Sequence, residues 1–92
     1  MKRSPPSAVL KQTDLLTIPG VGKSLAQDLI DLKINRVAQL RGRNPEKLYE
    51  DLMKLRGTYI DRCVLYVFRC AVYFATDSKH DSRLLKWWNW KD

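Results

Sequence analysis

The stretch Leu15-Leu16-Thr17-Ile18-Pro19-Gly20-Val21-Gly22-Lys23-Ser24-Leu25-Ala26-Gln27-Asp28-Leu29-Ile30 decides the fold. Leu15, Leu16 and Ile18 close one apolar element, and Pro19 stops an ordinary helix from running on through Ile18. Gly20 and Gly22 flank Val21, and glycine enters left-handed backbone conformations without steric cost. Beyond Gly22, Leu25, Ala26, Leu29, Ile30 and Lys33 fall on one helical stripe. The spacing predicts a helix end, a tight turn and a helix start.

Working outward, 92 residues suffice for one small domain with a modest core. The composition, 45% hydrophobic, is that of a globular chain, and the net charge of +7 favours an anionic partner such as nucleic acid. Residues 1–43 hold eight Lys/Arg against three Asp/Glu, and residues 44–92 hold nine against seven, so the glycine turn lies in the more basic half. The start, Met1-Lys2-Arg3-Ser4-Pro5-Pro6-Ser7, is not a secretory signal, and the apolar run Val64–Ala75 is too short to span a bilayer. Cys63 and Cys70 sit about 10 Å apart on a helix, beyond disulfide reach. These features point to a cytoplasmic protein with no membrane partner.

Residues 1–7 read as a flexible basic tail and 8–92 as a single all-α domain. A first helix is expected over Ala8–Thr17, with Thr13 able to cap a restart at Leu15. A second follows over Lys23–Leu32, then a turn at Lys33–Arg36 and a connector helix through Val37, Ala38 and Leu40 ending at Gly42. Asn44-Pro45-Glu46 starts a helix carrying Leu48, Leu52 and Leu55, which Gly57 ends. Thr58, with Asp61 three residues on, is expected to cap a long helix over Tyr59–Thr76 that is apolar almost all round. A loop over Asp77–Ser82 leads to a Trp-rich helix within 82–91.

The N–H groups near Gly20, Gly22, Ser24 and Leu25 lie at a helix start, where they lack carbonyl partners and face the positive end of the helix dipole. A phosphate oxygen is the natural guest, and a β-carbon at the glycines would hold it away. Lys23 adds a cation and Ser24 a hydroxyl. The candidate phosphate-binding set is therefore Gly20, Val21, Gly22, Lys23, Ser24 and Leu25. Lys33, Arg36, Arg41 and Arg43 either extend a phosphate track or form a solvated face. Arg62 and Arg69 share a stripe on the apolar helix and suit pairing with an acid such as Asp61. Trp87, Trp88 and Trp90, beside Lys86 and Lys91, suit either sealing of the core or stacking on bases. Catalysis has little support, so no enzyme is expected: His80 is a lone loop histidine, and the two cysteines cannot readily share a zinc ion.

The pattern apolar-x-Gly-apolar-Gly-x-x-x-Ala-x-x-apolar at Ile18–Leu29 resembles the helix–hairpin–helix motif of DNA-binding and DNA-repair proteins. Placing Gly57 under Gly20 sets Leu55 under Ile18, Cys63 under Ala26 and Tyr66-Val67 under Leu29-Ile30, with Tyr59 where Gly22 stood. The expected architecture is a tandem helix–hairpin–helix (SAM-like) domain of five to six helices: 8–33 the first hairpin, 34–44 the connector, 45–77 a degenerate second hairpin. Gly57 and Thr58 are then additional candidate DNA contacts. The motif resemblance also implies a potassium or sodium ion on the carbonyls of Leu16, Ile18 and Val21. With the run Leu55–Ala71 and the tail Leu85-Lys86-Trp87-Trp88-Asn89-Trp90 added, the chain from Leu10 to Asp92 is similar to the bacterial pathogenicity-locus family, often labelled mitomycin resistance proteins. The resemblance implies a cytoplasmic bacterial protein that binds DNA. The expected function is sequence-independent binding of duplex or branched DNA, linked to DNA repair or DNA-damage resistance. The alternative is a protein-interaction or homodimerisation module using the apolar Tyr59–Thr76 helix.

Overall fold

The computed structural model describes residues 13–92; the expected tail 1–7 and the expected helix start at Ala8 lie outside the described residues. Where the first helix was expected to finish, Leu15–Thr17 form a 3-10 turn. The reason is local. Thr17 N–H closes onto Asp14 O at 3.0 Å, Thr13 Oγ1 takes the Leu15 N–H at 3.1 Å, and Pro19 offers no donor to lengthen the turn.

Helix α1 spans Lys23–Asp31 and buries Ala26 and Leu29. Its C-terminus is closed by two bonds, Lys33 N–H to Ile30 O and Ile34 N–H to Leu29 O, each 2.9 Å. This closure needs a left-handed residue at Lys33, whose φ is +70°, so Lys33 leaves the apolar stripe and projects into solvent. The connector is a 3-10 turn, Val37–Leu40, with Leu40 buried. It is tied back to the entry of the glycine turn by the Val37 N–H, which donates to Asp14 Oδ1 at 2.8 Å.

Helix α2 spans Pro45–Arg56, with Asn44 Oδ1 accepting from the N–H groups of Glu46 and Lys47 and with Gly57 left-handed at its end, as the sequence predicts. Leu48 and Leu52 are buried, whereas Leu55 turns outward and is 52% exposed. Helix α3 spans Arg62–Thr76, starting three residues later than expected. Thr58 does not cap it, because the Thr58 N–H helps close the end of α2 on Met53 O. Asp61 is the cap: its carboxylate accepts from Cys63 N–H at 2.8 Å. The short extended segment before it is held by the Tyr49 hydroxyl, which donates to Ile60 O.

The tail is two 3-10 turns, Ser82–Leu85 and Trp87–Trp90, in place of the expected helix. Lys86 is extended between them. With about three residues per turn, positions i and i+3 eclipse, so Trp87 and Trp90 share one side of the second turn and Trp88 falls on another. Among the described residues there are three α-helices, four 3-10 turns and no strand. The protein is all-helical, although five to six helices are expected from the sequence. The core is assembled from Leu15, Ile18, Leu29, Ile34, Leu40, Leu48, Leu52, Leu65 and Phe68, so every element from the first turn to α3 contributes to it.

Arg56 reaches from α2 to both Asp28 (2.7 Å) and Asp31 (2.6 Å) of α1. Arg62 and Arg69 do not pair with Asp61. Arg62 pairs with Asp92, while Arg69 holds Asp92 (2.9 Å), Glu46 (2.9 Å) and Trp90 O (2.8 Å), fastening the tail to α3. The guanidinium groups of Arg62 and Arg69 lower the pKa of the Asp92 carboxyl to about 2, well below the usual carboxylate range. A carboxyl depressed on folding contributes stability that is complete above the unfolded value and is lost as pH falls through about 2. The urea midpoint of the wild-type chain should therefore fall more steeply than that of Asp92→Asn between pH 4 and pH 2. Parallel curves over that range, followed by tryptophan fluorescence, would show that the latch is not held by this charge.

Candidate functional site

The turn between Leu15–Thr17 and α1 is shaped by one glycine. Gly20 has φ +86°, and a β-carbon there would lie 2.9 Å from Trp87 Cδ1. Its absence of side chain thus serves backbone and packing together. Gly22 is different. Its φ is −93° and ψ −171°, an extended conformation open to any residue, so the expected left-handed role does not apply to it. A β-carbon on Gly22 would meet nothing within 4 Å. Neither strain nor crowding inside the chain requires glycine there; what glycine leaves is open space over the start of α1.

Among the described residues, no side chain caps that start. The N–H groups of Gly22, Lys23, Ser24 and Leu25 find no acceptor among the described residues, and the first to close is Ala26 N–H, onto Gly22 O at 2.9 Å. Val21 is not equivalent to its neighbours: its side chain is buried and its N–H donates to Ile18 O at 3.1 Å. Leu25 packs against the core and offers only its backbone, whereas Lys23 and Ser24 are exposed. The other two α-helices have filled N-termini, α2 with Asn44 and α3 with Asp61. The Cys63 N–H holds the Asp61 carboxyl below its ordinary range, so a negative charge already occupies the start of α3.

Lys33, Arg36 and Arg43 are exposed and make no ion pair among the described residues, while Arg41 is drawn in by a bond from its Nε to Ala75 O at 3.2 Å. Arg43 borders an open, largely apolar hollow of about 330 Å³ between the start of α2 and α3, walled by Val72, Tyr73 and Trp90. Gly57 is left-handed, and a β-carbon on it would also meet open space. Its turn runs to Arg62 before helix resumes, two residues further than the run from Gly20 to Lys23. Leu16 and Val21 carbonyls accept no hydrogen bond among the described residues; that of Ile18 accepts one.

The one histidine and the two cysteines lie outside this turn. His80 Nε2 lies 2.8 Å from Phe74 O, with its ring stacked on Phe74 at 4.8 Å. Hydrogen bonding to Asp61 pushes the Cys63 thiol up, and burial pushes the Cys70 thiol up, so neither is poised as a thiolate. Among the described residues, no helix is long and apolar enough to cross a membrane.

Asp61, expected three residues into a capping box begun by Thr58, is the cap itself. No local spacing signals that the Trp87 indole lies on Gly20 across 67 residues of chain.

Comparison with known proteins adds a family. Residues 9–92 match the family described as Pathogenicity locus. A relative from Streptomyces lavendulae, named Mitomycin resistance protein McrB, is 33% identical over 78 residues, covering 85% of this chain and 70% of that protein. No solved structure matches the chain significantly.

Proposed function

The chain belongs to the pathogenicity-locus family, and we propose that it is a non-enzymatic, cytoplasmic DNA-binding module that grips phosphates at the Gly20–Leu25 turn. In this reading the domain is a tandem helix–hairpin–helix whose second hairpin is degenerate. One observation carries it: among the described residues, α1 is the one α-helix whose N-terminus no side chain caps, and it lies beneath open space at Gly22. Unpartnered N–H groups at the positive end of a helix bind anionic oxygens, and Lys23 supplies a mobile cation beside them. Such contacts position a backbone and carry no sequence information, so duplex or branched DNA of any sequence is the expected ligand.

Lys33, Arg36 and Arg43 continue the grip, and Arg41 contributes less because it is tied to α3. Phosphate binding at Gly57 and Thr58 is disfavoured in this reading, since the Asp61 carboxylate sits where the anion would go. The carbonyls of Leu16, Ile18 and Val21 are the oxygen donors that would hold a potassium or sodium ion, whose charge would add to the attraction for a phosphate. The name of the Streptomyces lavendulae relative supports a link to DNA repair or DNA-damage resistance and supplies no mechanism.

The homodimerisation reading has less to rest on. Much of the apolar circumference of α3 is met within the chain, by α2, the connector and the tail. Leu55 and Tyr59, 52% and 75% exposed, remain as apolar surface beside its start.

The test is a titration of labelled duplex at a series of salt concentrations. Counterion release predicts a linear fall of log K with log salt, with a slope of roughly −0.9 for each phosphate neutralised. Lys23, Lys33, Arg36 and Arg43 set the expectation at about −3 to −4. A slope near zero, or no binding at low salt, would sink the reading.

A further inference from the structure

The three tail tryptophans are not equivalent. Trp87 packs against the core and on Gly20. Trp90 donates its indole N–H to Leu84 O at 2.8 Å, pairs with Tyr73 at 5.5 Å, and offers its carbonyl to Arg69. Trp88 has neither kind of anchor. It is 50% exposed, its ring pairs among the described residues only with Trp87, in a T-shaped arrangement (5.8 Å, 87°), and its indole N–H finds no acceptor there. The 3-10 geometry that turns Trp87 and Trp90 inward holds Trp88 out.

Its position gives this exposure a use. Trp87 touches Gly20 and Trp88 touches Trp87, which places the Trp88 ring within roughly 12 Å of the glycine turn, the rise of three to four stacked bases. Lys86 and Lys91, both exposed, flank the turn that carries it. A half-exposed indole beside a phosphate seat and two cations has the makings of a single-strand stacking platform.

We propose that Trp88 stacks on an unpaired base of the DNA whose phosphate occupies the Gly20–Leu25 turn, so that the protein prefers DNA with a single-stranded segment next to duplex. This assignment rests on the phosphate-binding reading above. Its face is the outer side of the Trp87–Trp90 turn, and its ligand is a nucleobase of any identity, since every base has a π-face.

The test compares blunt duplex with the same duplex carrying a short single-stranded overhang, for the wild-type chain, Trp88→Ala and Trp88→Phe. The wild-type chain should bind the overhang DNA at least about fivefold more tightly than blunt duplex, the low end of the worth of one base–aromatic stack. Trp88→Ala should lose that preference and keep its affinity for blunt duplex within twofold; Trp88→Phe, which keeps a ring, should retain part of the preference. Equal binding of both DNAs by the wild-type chain, or an undiminished preference in Trp88→Ala, overturns the assignment and leaves the phosphate reading standing. No binding of either DNA by the wild-type chain overturns both. Circular dichroism of Trp88→Ala separates these results from unfolding, and a misfolded Ala variant leaves Trp88→Phe to decide: a preference kept in part or in full supports stacking, and one wholly lost while blunt binding persists counts against it.

Discussion

Gly22→Asp should weaken DNA binding by at least about thirtyfold while leaving the domain folded and as stable as the wild type. The two halves of this expectation come from different physics. Aspartate is among the best N-cap residues, and Gly22 already has the extended backbone a cap requires. A β-carbon there meets no neighbour within 4 Å. The new carboxylate can therefore accept from the free N–H groups of Ser24 or Leu25, for a gain of a few tenths of a kcal/mol over glycine. In doing so it fills the proposed phosphate seat with a fixed negative charge. Hydrogen bonds to a charged group contribute about 1.5–3 kcal/mol, or roughly 13- to 160-fold in affinity, and repulsion from the fixed carboxylate carries the loss to at least about thirtyfold. Gly22→Ala adds bulk without charge and should fall between the two. Fluorescence anisotropy with a labelled duplex reads the affinity, and thermal melting reads the stability. A Gly22→Asp chain that melts like wild type and binds like wild type would remove the turn from the interface. The protein carries its own precedent, since Asp61 occupies the start of α3 in the same manner.

Gly20→Ala should do the reverse, destabilising the fold by about 2–4 kcal/mol. Its φ of +86° costs an alanine roughly 1–2 kcal/mol. The new methyl would also lie 2.9 Å from Trp87 Cδ1, so the ring must shift off the core edge it covers. Against a total stability of about 5–15 kcal/mol this is a large fraction, and for a domain of this size the melting temperature should drop by about 10–20 °C. Two measurements identify the cause. The tryptophan emission of the folded variant should shift to longer wavelength as Trp87 is displaced. The double variant Gly20→Ala/Trp87→Ala should be less destabilised than the two single effects added together, because the clash exists only while both side chains are present. A loss under 1 kcal/mol, or strict additivity, would mean that the tail does not press on the turn.

The contrast between the two glycines shows what the sequence could and could not say. Both read as punctuation at one turn. Only Gly20 is left-handed, and only tertiary structure separates a glycine needed by the fold from one that leaves a surface open. The cap at Asn44, the proline after it, the stop at Gly57 and the start of α1 at Lys23 were legible, because each depends on residues within one helical turn. The start of α3 was misplaced although its signals are local too: Thr58 and Asp61 compete for the role, and the outcome turns on Tyr49 holding Ile60 and on Thr58 being drawn into the end of α2. The length and composition of the tail permit a helix, and the extended Lys86 and the seats of Trp87 and Trp90 override that preference.

By itself, then, the sequence determined the all-helical class, the basic charge, the start of α1 after the glycine turn and both ends of α2. These follow from backbone preferences and bonds that span four residues or fewer. The tertiary structure decided which partners the long side chains take: Arg56 on Asp28 and Asp31, Arg69 on Glu46 and Asp92, Trp87 on Gly20, with Trp88 left outside. Such contacts join residues 23 to 67 positions apart, and nothing in local spacing selects among them until the core has fixed the path of the chain.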